Sequence, residues 1–280
     1  MTTPHEMPIA SAEEEAHHPL RARACYKAYF FGPFRVTFNE QPLGEPRWRR
    51  NKAKMLLKWF LLNSGDLFSV EQLGNLLWPN VSMKTAVANL HVTIHYLRHV
   101  LEPELPPSHS STFIRRNRHN YYWFEFNDVW WTDVLDIQYL STLRKEAERS
   151  GDISRAIALS NQLVSYYSLE FLPEDIYEDI FLPYRRQHDY AYTQLLEHLM
   201  QLYTQTNQFG DALSCALRIL AVDPYNENAV KTMVHTYVLQ GNTISALRQL
   251  DDFQRFLKED MGIEPGKEIL ALRNTILQAH

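Results

Sequence analysis

The sequence predicts a mostly α-helical protein in two parts, with small β elements in the N-terminal part and an all-α repeat array after it. Three observations predict this. Aromatic and β-branched stretches bounded by turn residues flank the N-terminal part, near residues 26–38 and 113–124. Between them, apolar residues recur at helical spacing in three separate segments. Beyond residue 128 the pattern is helical, and matched positions recur at an interval of 34.

Residues 1–22 hold no aromatic residue and no periodic apolar positions, and read as a disordered tail. From Tyr26 to Phe38 the text YKAYFFGPFRVTF is strand chemistry, with a turn or bulge at Gly32-Pro33. NEQPLGEP follows as a second turn signal. Arg50 to Asn63 then sets Ala53, Leu56, Leu57, Phe60 and Leu61 on one helical face, and Ser64-Gly65-Asp66 stops it. Ser69 is placed as an N-cap, with Gln72 at the capping-box position, and Pro79 closes that short helix. A longer helix opens at Ser82 or Met83 and runs to about Leu101. Its narrow apolar stripe is Ala86, Leu90, Ile94, Leu97 and Leu101. After the loop PELPPSHSS, the text FIRRNRHNYYWF reads as a hairpin with a basic tip, where Asn117 and Asn120 tolerate the positive φ of a tight turn. Strands, three helices and a hairpin in that order make a winged helix-turn-helix, with the third helix as the reader.

In the second part, Tyr203, Asn207, Ala212 and Leu213 recur as Tyr237, Gly241, Ala246 and Leu247, each 34 positions on. That period is the tetratricopeptide length, one helix–turn–helix per repeat. Gly151 and Ala156 in SGDISRAIAL keep the same five-residue spacing, so three helix pairs are expected. FLPEDIYEDIFLPYR interrupts them before a long helix from about Arg185 to Thr206. The expected division is a tail over 1–22, a winged-helix domain over 23–127 and a tetratricopeptide-like domain over 128–280.

The whole-chain charge of −5 conceals a partition. Residues 21–125 carry 15 Lys and Arg against 7 Asp and Glu, a net of +8. Residues 126–280 carry 13 against 22, a net of −9, and residues 1–20 a net of −4. A basic part beside an acidic part points to separate binding tasks. Cys25 and Cys215 make no metal-ligand spacing with the histidines, and two cysteines so far apart fit a reducing compartment. No signal peptide or membrane span is read, so a cytoplasmic protein is expected, without cofactor or metal. No catalytic constellation or Gly-rich phosphate loop is present, so an enzyme is not expected. The acidic cluster Glu174, Asp175, Glu178 and Asp179 reads as a solvated face, and His188 and His198 have no ligand spacing.

The stretch LGNLLWPNVSMKTAVANLHVTIHYLRHVLEP resembles the reader-helix region of the Streptomyces antibiotic regulatory protein family, which joins an OmpR-type winged helix to a bacterial transcriptional activator domain of tetratricopeptide-like helices. The wing leading into WWTDVLDI, the proline-flanked FLPEDIYEDIFLPYRRQ and the closing LKEDMGIEPGKEILAL are similar to that family's junction, connector and end signature. The resemblance covers roughly residues 27–278, with the length of the small stand-alone type. Two departures matter. Asn120-Tyr121 stands where the family wing often has Gly-Tyr, which puts the wing geometry in question. His95, Tyr96 and His99 stand where Arg is common, so a relative's target sequence does not transfer.

The reader helix, opposite Leu90, carries Lys84, Thr85, Ala88, Val92, His95, Tyr96 and His99, flanked by Asn89, Thr93 and Arg98. By similarity to winged-helix readers, Asn89, Val92, Thr93 and Tyr96 are the base-edge candidates, and Lys84, Arg98 and His99 the phosphate candidates, with Thr85 beside them. At the wing, Arg115, Arg116 and Arg118 are candidates for phosphate or minor groove. At the start of the first helix, Arg49, Arg50 and Lys52 are candidates for the DNA backbone, whereas Trp48 reads as packing. The expected function is sequence-specific binding of double-stranded DNA by a transcription activator. It would bind direct repeats near a promoter as a pair, a homodimer on DNA, and recruit RNA polymerase. The alternative is a tetratricopeptide scaffold whose winged helix binds protein.

Overall fold

A computed structural model describes residues 17–43, 50–106 and 109–278. The chain forms two compact units: His18–Leu135 with Leu172–Ile180, and Asp136–Phe171 with Phe181–His280, the latter joined by His17.

Among the described residues, the first unit is built on two small sheets, one helical turn and three longer helices. After a helical turn, α1 (Leu20–Arg23), strands β1 (Tyr26–Tyr29) and β2 (Arg35–Phe38) pair antiparallel, Tyr26 opposite Phe38. The chain reverses between them through Gly32 at φ +78°, in the left-handed region that glycine enters without steric cost. Asn39 and Glu40, both at positive φ, turn β2 into β3 (Gln41–Pro42). β7 (Trp130–Thr132) completes the sheet in the order β3-β2-β1-β7, running parallel to β1. The boundary expected at 127/128 therefore cuts this sheet, and the first unit continues to Leu135. The expected tail is also shorter. α1 begins within it, and His17 Nδ1 stands 2.8 Å from Asp136 Oδ2 in the second unit.

The helices α2 (Asn51–Leu62), α3 (Val70–Leu77) and α4 (Met83–Leu101) pack on one another. All five residues read as one face of the first helix are buried in α2: Ala53, Leu56, Leu57, Phe60 and Leu61. Lys58 is buried with them, at 1% exposure, and its ammonium is paired with Asp175 and, at 3.0 Å, with Glu174. Those carboxylates come from the connector Leu172–Ile180, which packs as part of this unit. Leu172, at φ +50°, donates its N–H to the Phe30 carbonyl at 2.9 Å, and Phe34 N–H donates to Glu174 Oε1 at 2.9 Å. The expectation of a solvated acidic face is corrected for Asp175, which is buried. An ammonium in a core requires a counter-charge, and this segment delivers it from 117 residues away. Asp133, wholly enclosed, accepts N–H bonds from Phe30 and Phe31 at 2.8–3.0 Å. Burial pushes its carboxyl up to about 7 against those donors, which favour the ionised form.

The second unit is all helix. α5 (Asp133–Arg149) leads into it and is followed by α6 (Ile153–Tyr167), α7 (Leu182–Gln205), α8 (Phe209–Val222), α9 (Glu227–Leu239), α10 (Thr243–Asp260) and α11 (Lys267–Gln278). From α6 onward, successive helices pack on one another, as an array of paired helices does. The expected repeat register holds at the turns. Gly151, Asn207 and Gly241 all have positive φ, at +77°, +58° and +71°. After each, the next N–H reaches five residues back to Ala147, Tyr203 and Tyr237, at 2.8–2.9 Å, closing the same C-cap three times. Five residues past each turn residue, Ala156, Ala212 and Ala246 are fully buried. A methyl there lets the paired helices approach closely. Among the described residues, no helix is long and apolar enough to cross a membrane.

Candidate nucleic-acid interface

The candidate reader helix α4 is fixed by two caps and one close contact. Ser69 and Gln72 form the expected capping box at the start of α3, Ser69 Oγ accepting the Gln72 N–H and Gln72 Oε1 accepting the Ser69 N–H. Ser82 caps α4, its Oγ accepting the Thr85 N–H at 3.3 Å and lying 2.8 Å from Thr85 Oγ1. Where α3 meets α4, a Cβ on Gly74 would stand 3.3 Å from the Ala86 Cβ, so glycine and alanine together allow the two helices to come this near.

The predicted stripe of α4 is buried throughout, and the opposite face carries Lys84, Thr85, Ala88, Val92, His95 and His99 exposed to solvent. Val92, at 51% exposure, is an apolar side chain presented to water. Asn89 is half-buried at the margin. Two assignments change. Thr93 is buried, at 4% exposure, so it leaves the base-reading set. It lies three residues on from Leu90, at the edge of the stripe, and packing widens the buried arc to include it and Val100. Arg98 is half-buried, and its Nη2 donates to the Ile114 carbonyl at 2.7 Å. Burial pushes its guanidinium below the ordinary value, with Tyr122 and Glu102 opposing. This arginine ties the reader to the wing and leaves the phosphate set. Tyr96 is half-buried, with the Arg50 guanidinium 5.1 Å from its ring centre.

His91 escaped the sequence reading. With His95 and His99 it makes an exposed file at four-residue spacing, and that spacing was its signal. The His95 and His99 rings lie 4.3 Å apart, and His99 Nδ1 stands 2.9 Å from the His95 carbonyl.

The wing is β5 (Ile114–Arg116) paired with β6 (Tyr121–Phe124), and β4 (Phe68–Ser69) adds a third strand beside β6. Asn120 takes φ +64°, so asparagine serves at the position where the family favours glycine. Asn117 Oδ1 accepts the N–H groups of His119 and Tyr121 and shapes the tip. Arg115, Arg116 and Arg118 are all exposed. Arg116 is steadied by Asn120 Oδ1 at 2.6 Å and by the Tyr122 ring, and Arg115 by the Ser111 carbonyl at 3.4 Å. Arg118 makes no ion pair or hydrogen bond among the described residues. At the head of α2, Arg50 is exposed and Lys52 half-buried, while Arg49 and Trp48 lie outside the described residues.

Comparison with known proteins adds the family. The model of the bacterial transcriptional activator domain matches residues 132–277, just over half of the chain. The regulatory protein AfsR of Streptomyces griseus is 24% identical over 257 residues, which is 89% of this chain and 24% of that protein. AfsR of Streptomyces coelicolor is 24% identical over 274 residues, 96% of this chain and 25% of the relative. The chain thus spans about a quarter of the length of these relatives. In fold it is similar to EmbR of Mycobacterium tuberculosis, solved with a low-affinity phosphopeptide, at a TM-score of 0.74 and 18% identity over 91% of this chain and 66% of that one. A winged helix followed by a tetratricopeptide-like helical domain is the fold the two share. With its activator-domain match and its regulatory relatives, the chain belongs to the bacterial transcriptional activator domain family, as a regulator of the Streptomyces antibiotic regulatory protein type.

Proposed function

We propose that the protein regulates transcription by binding duplex DNA, with α4 in the major groove and the wing on the adjoining backbone. The observation that carries this reading is the face of α4, which leaves Lys84, Val92 and His99 in solvent on the same unit as Arg118, which has no ion pair or hydrogen bond among the described residues. In this reading Asn89, Val92 and Tyr96 meet base edges. Lys84, Thr85, His99, Arg115, Arg116 and Arg118 meet the backbone, and Arg50 and Lys52 add contacts from the head of α2. The net +8 of residues 21–125 supports it, since phosphate contact requires such an excess. One reader helix covers too few base pairs to find a single address in a genome, so two copies on direct repeats spaced about 10–11 base pairs apart are proposed. The helical unit over 136–171 and 181–280 carries 13 Lys and Arg against 16 Asp and Glu, a net of −3. Lacking a basic excess, it is proposed as the surface for a neighbouring copy or for RNA polymerase.

The test selects bound fragments from a random DNA library with the full chain and measures affinity against salt. Affinity should fall steeply as salt rises. Asn89→Ala should relax preference at one base position, costing about 1–3 kcal/mol on the selected site, whereas Arg118→Ala should weaken all sequences alike. Run-off transcription on a template carrying the selected site should be stimulated by the full chain. Binding that is indifferent to salt would sink the DNA reading, and repression would sink the activator assignment alone.

A further inference from the structure

In the helical unit, α5, α6 and α7 line a cavity of about 440 Å³ that the DNA reading does not use. That size falls within the range of small-molecule sites. Its walls are of two kinds. Leu163 and Leu195, both buried, and Ala191 form an apolar surface. Arg144, Lys145 and His198 bring nitrogen donors to the same space, and Ser141 and Gln194 add a hydroxyl and an amide. Glu148 is the acid in the lining. It holds Arg144 through Nη1 and stands 2.7 Å from His198 Nε2, which fixes both side chains in place.

Arg144 is the key group. Its side chain lines the cavity, and Glu148 engages Nη1 and so holds the guanidinium at the wall. A guanidinium fixed in this way presents planar N–H donors suited to a carboxylate. Lys145, exposed, has no ion pair or hydrogen bond among the described residues. Burial raises the Tyr167 phenol to about 12, so it stays an O–H group across the neutral range. Two cationic side chains, Arg144 and Lys145, face one carboxylate, Glu148, so the lining favours an anion of low charge, and Glu148 would repel a dianion.

We infer that this cavity binds a small organic monocarboxylate, its acid group held by Arg144 and Lys145 and its apolar body laid against Leu163 and Leu195. The regulator would then carry a ligand site in its helical unit, whichever way its DNA reading turns out.

The experiment titrates the full chain with a panel of monocarboxylates at millimolar concentration, hexanoate, decanoate, salicylate and 4-phenylbutyrate, by calorimetry and by amide chemical shifts. The corresponding neutral amides, inorganic phosphate and an acidic peptide serve as further arms. At least one acid is expected to bind and to shift signals from α5 and α7, with its amide silent. Arg144→Gln should weaken binding roughly tenfold or more. Lys145→Ala, at an exposed position that does not endanger the fold, should weaken it severalfold. The inference is overturned if no acid in the panel binds, if the amides bind equally, or if both variants bind as the parent does. Tighter binding of phosphate would make this a general anion site, and binding of the peptide alone a peptide groove. Either result overturns it as well.

Discussion

The winged-helix unit and the helical unit bury their cores by opposite routes. The helical unit repeats one local device three times: a left-handed turn residue, a bond back over five residues and a fully buried alanine five residues on. The winged-helix unit is closed by pairings far apart in the chain. β1 runs beside β7, about 100 residues later, and Lys58 is neutralised by a connector that interrupts the helical sequence. A local device confines the effect of a substitution to one helix pair, whereas a distant closure spreads it through the unit. The six tryptophans make the contrast measurable, because all lie at or before residue 131. Tryptophan emission therefore reports the winged-helix unit, and far-ultraviolet circular dichroism is weighted toward the helical one.

The largest effect is expected at the distant closure. Lys58→Met leaves Asp175 and the nearby Glu174 without their buried partner, and should cost about 3–5 kcal/mol. Denaturant titration followed by tryptophan emission would show it, and adding Asp175→Leu should recover most of the loss. A cost under about 1 kcal/mol would mean that the connector is not what closes this unit.

Next comes Ala246→Leu, which overpacks one helix pair and should cost about 1–3 kcal/mol. The dichroism melt should fall while the tryptophan transition stays in place. Movement of both together would break the claim that damage in the repeat array stays local.

Gly241→Ala sharpens the same point at the turn. Its φ of +71° is unfavourable for any residue with a Cβ, and a cost of about 1–2 kcal/mol is expected, read again by dichroism. Asn207→Gly at the matching turn should be tolerated, since φ there is +58° and glycine has no Cβ to strain.

A pH dependence is expected in the winged-helix unit as well. Asp133 titrates near 7 in the fold and near 3.8 when unfolded. Between those values the folded protein keeps a proton that the unfolded chain has released. Stability should therefore fall as pH rises from about 4 to 7, by at most roughly 1.4 kcal/mol per pH unit. Midpoints of the tryptophan transition at pH 5 and pH 7.5 test this, and Asp133→Asn should flatten the difference. An unchanged slope in that variant would assign the effect elsewhere.

Legibility in the sequence divides along the same line. The capping box at Ser69 and Gln72, the stripe of α4, the basic wing tip and the five-residue spacing from turn to alanine in each repeat all depend on residues within a few turns of one another. The candidate site was legible to the same extent: the stripe oriented α4 correctly, so Lys84, Val92 and His99 appear where its polar face required. The misplaced residues lie where a distant element arrives. Thr93 sits at the edge of the stripe, and packing decides which side of that edge it falls on. Arg98 looks like any arginine on a helix flank until the Ile114 carbonyl is seen beside it.

By itself, then, the sequence determined the three helices of the winged helix, the hairpin that follows them, the capping box at Ser69, the repeat interval of the helical unit, and which face of α4 meets water. Hydrogen-bond periodicity and side-chain spacing are properties of neighbouring residues. Only the tertiary structure decided that β7 lies parallel to β1, that residues 172–180 belong with the winged helix, and that Lys58 and Asp175 meet in its core. Those choices follow from which distant surfaces exclude water together and where a buried charge finds its counter-charge, and no local pattern records either.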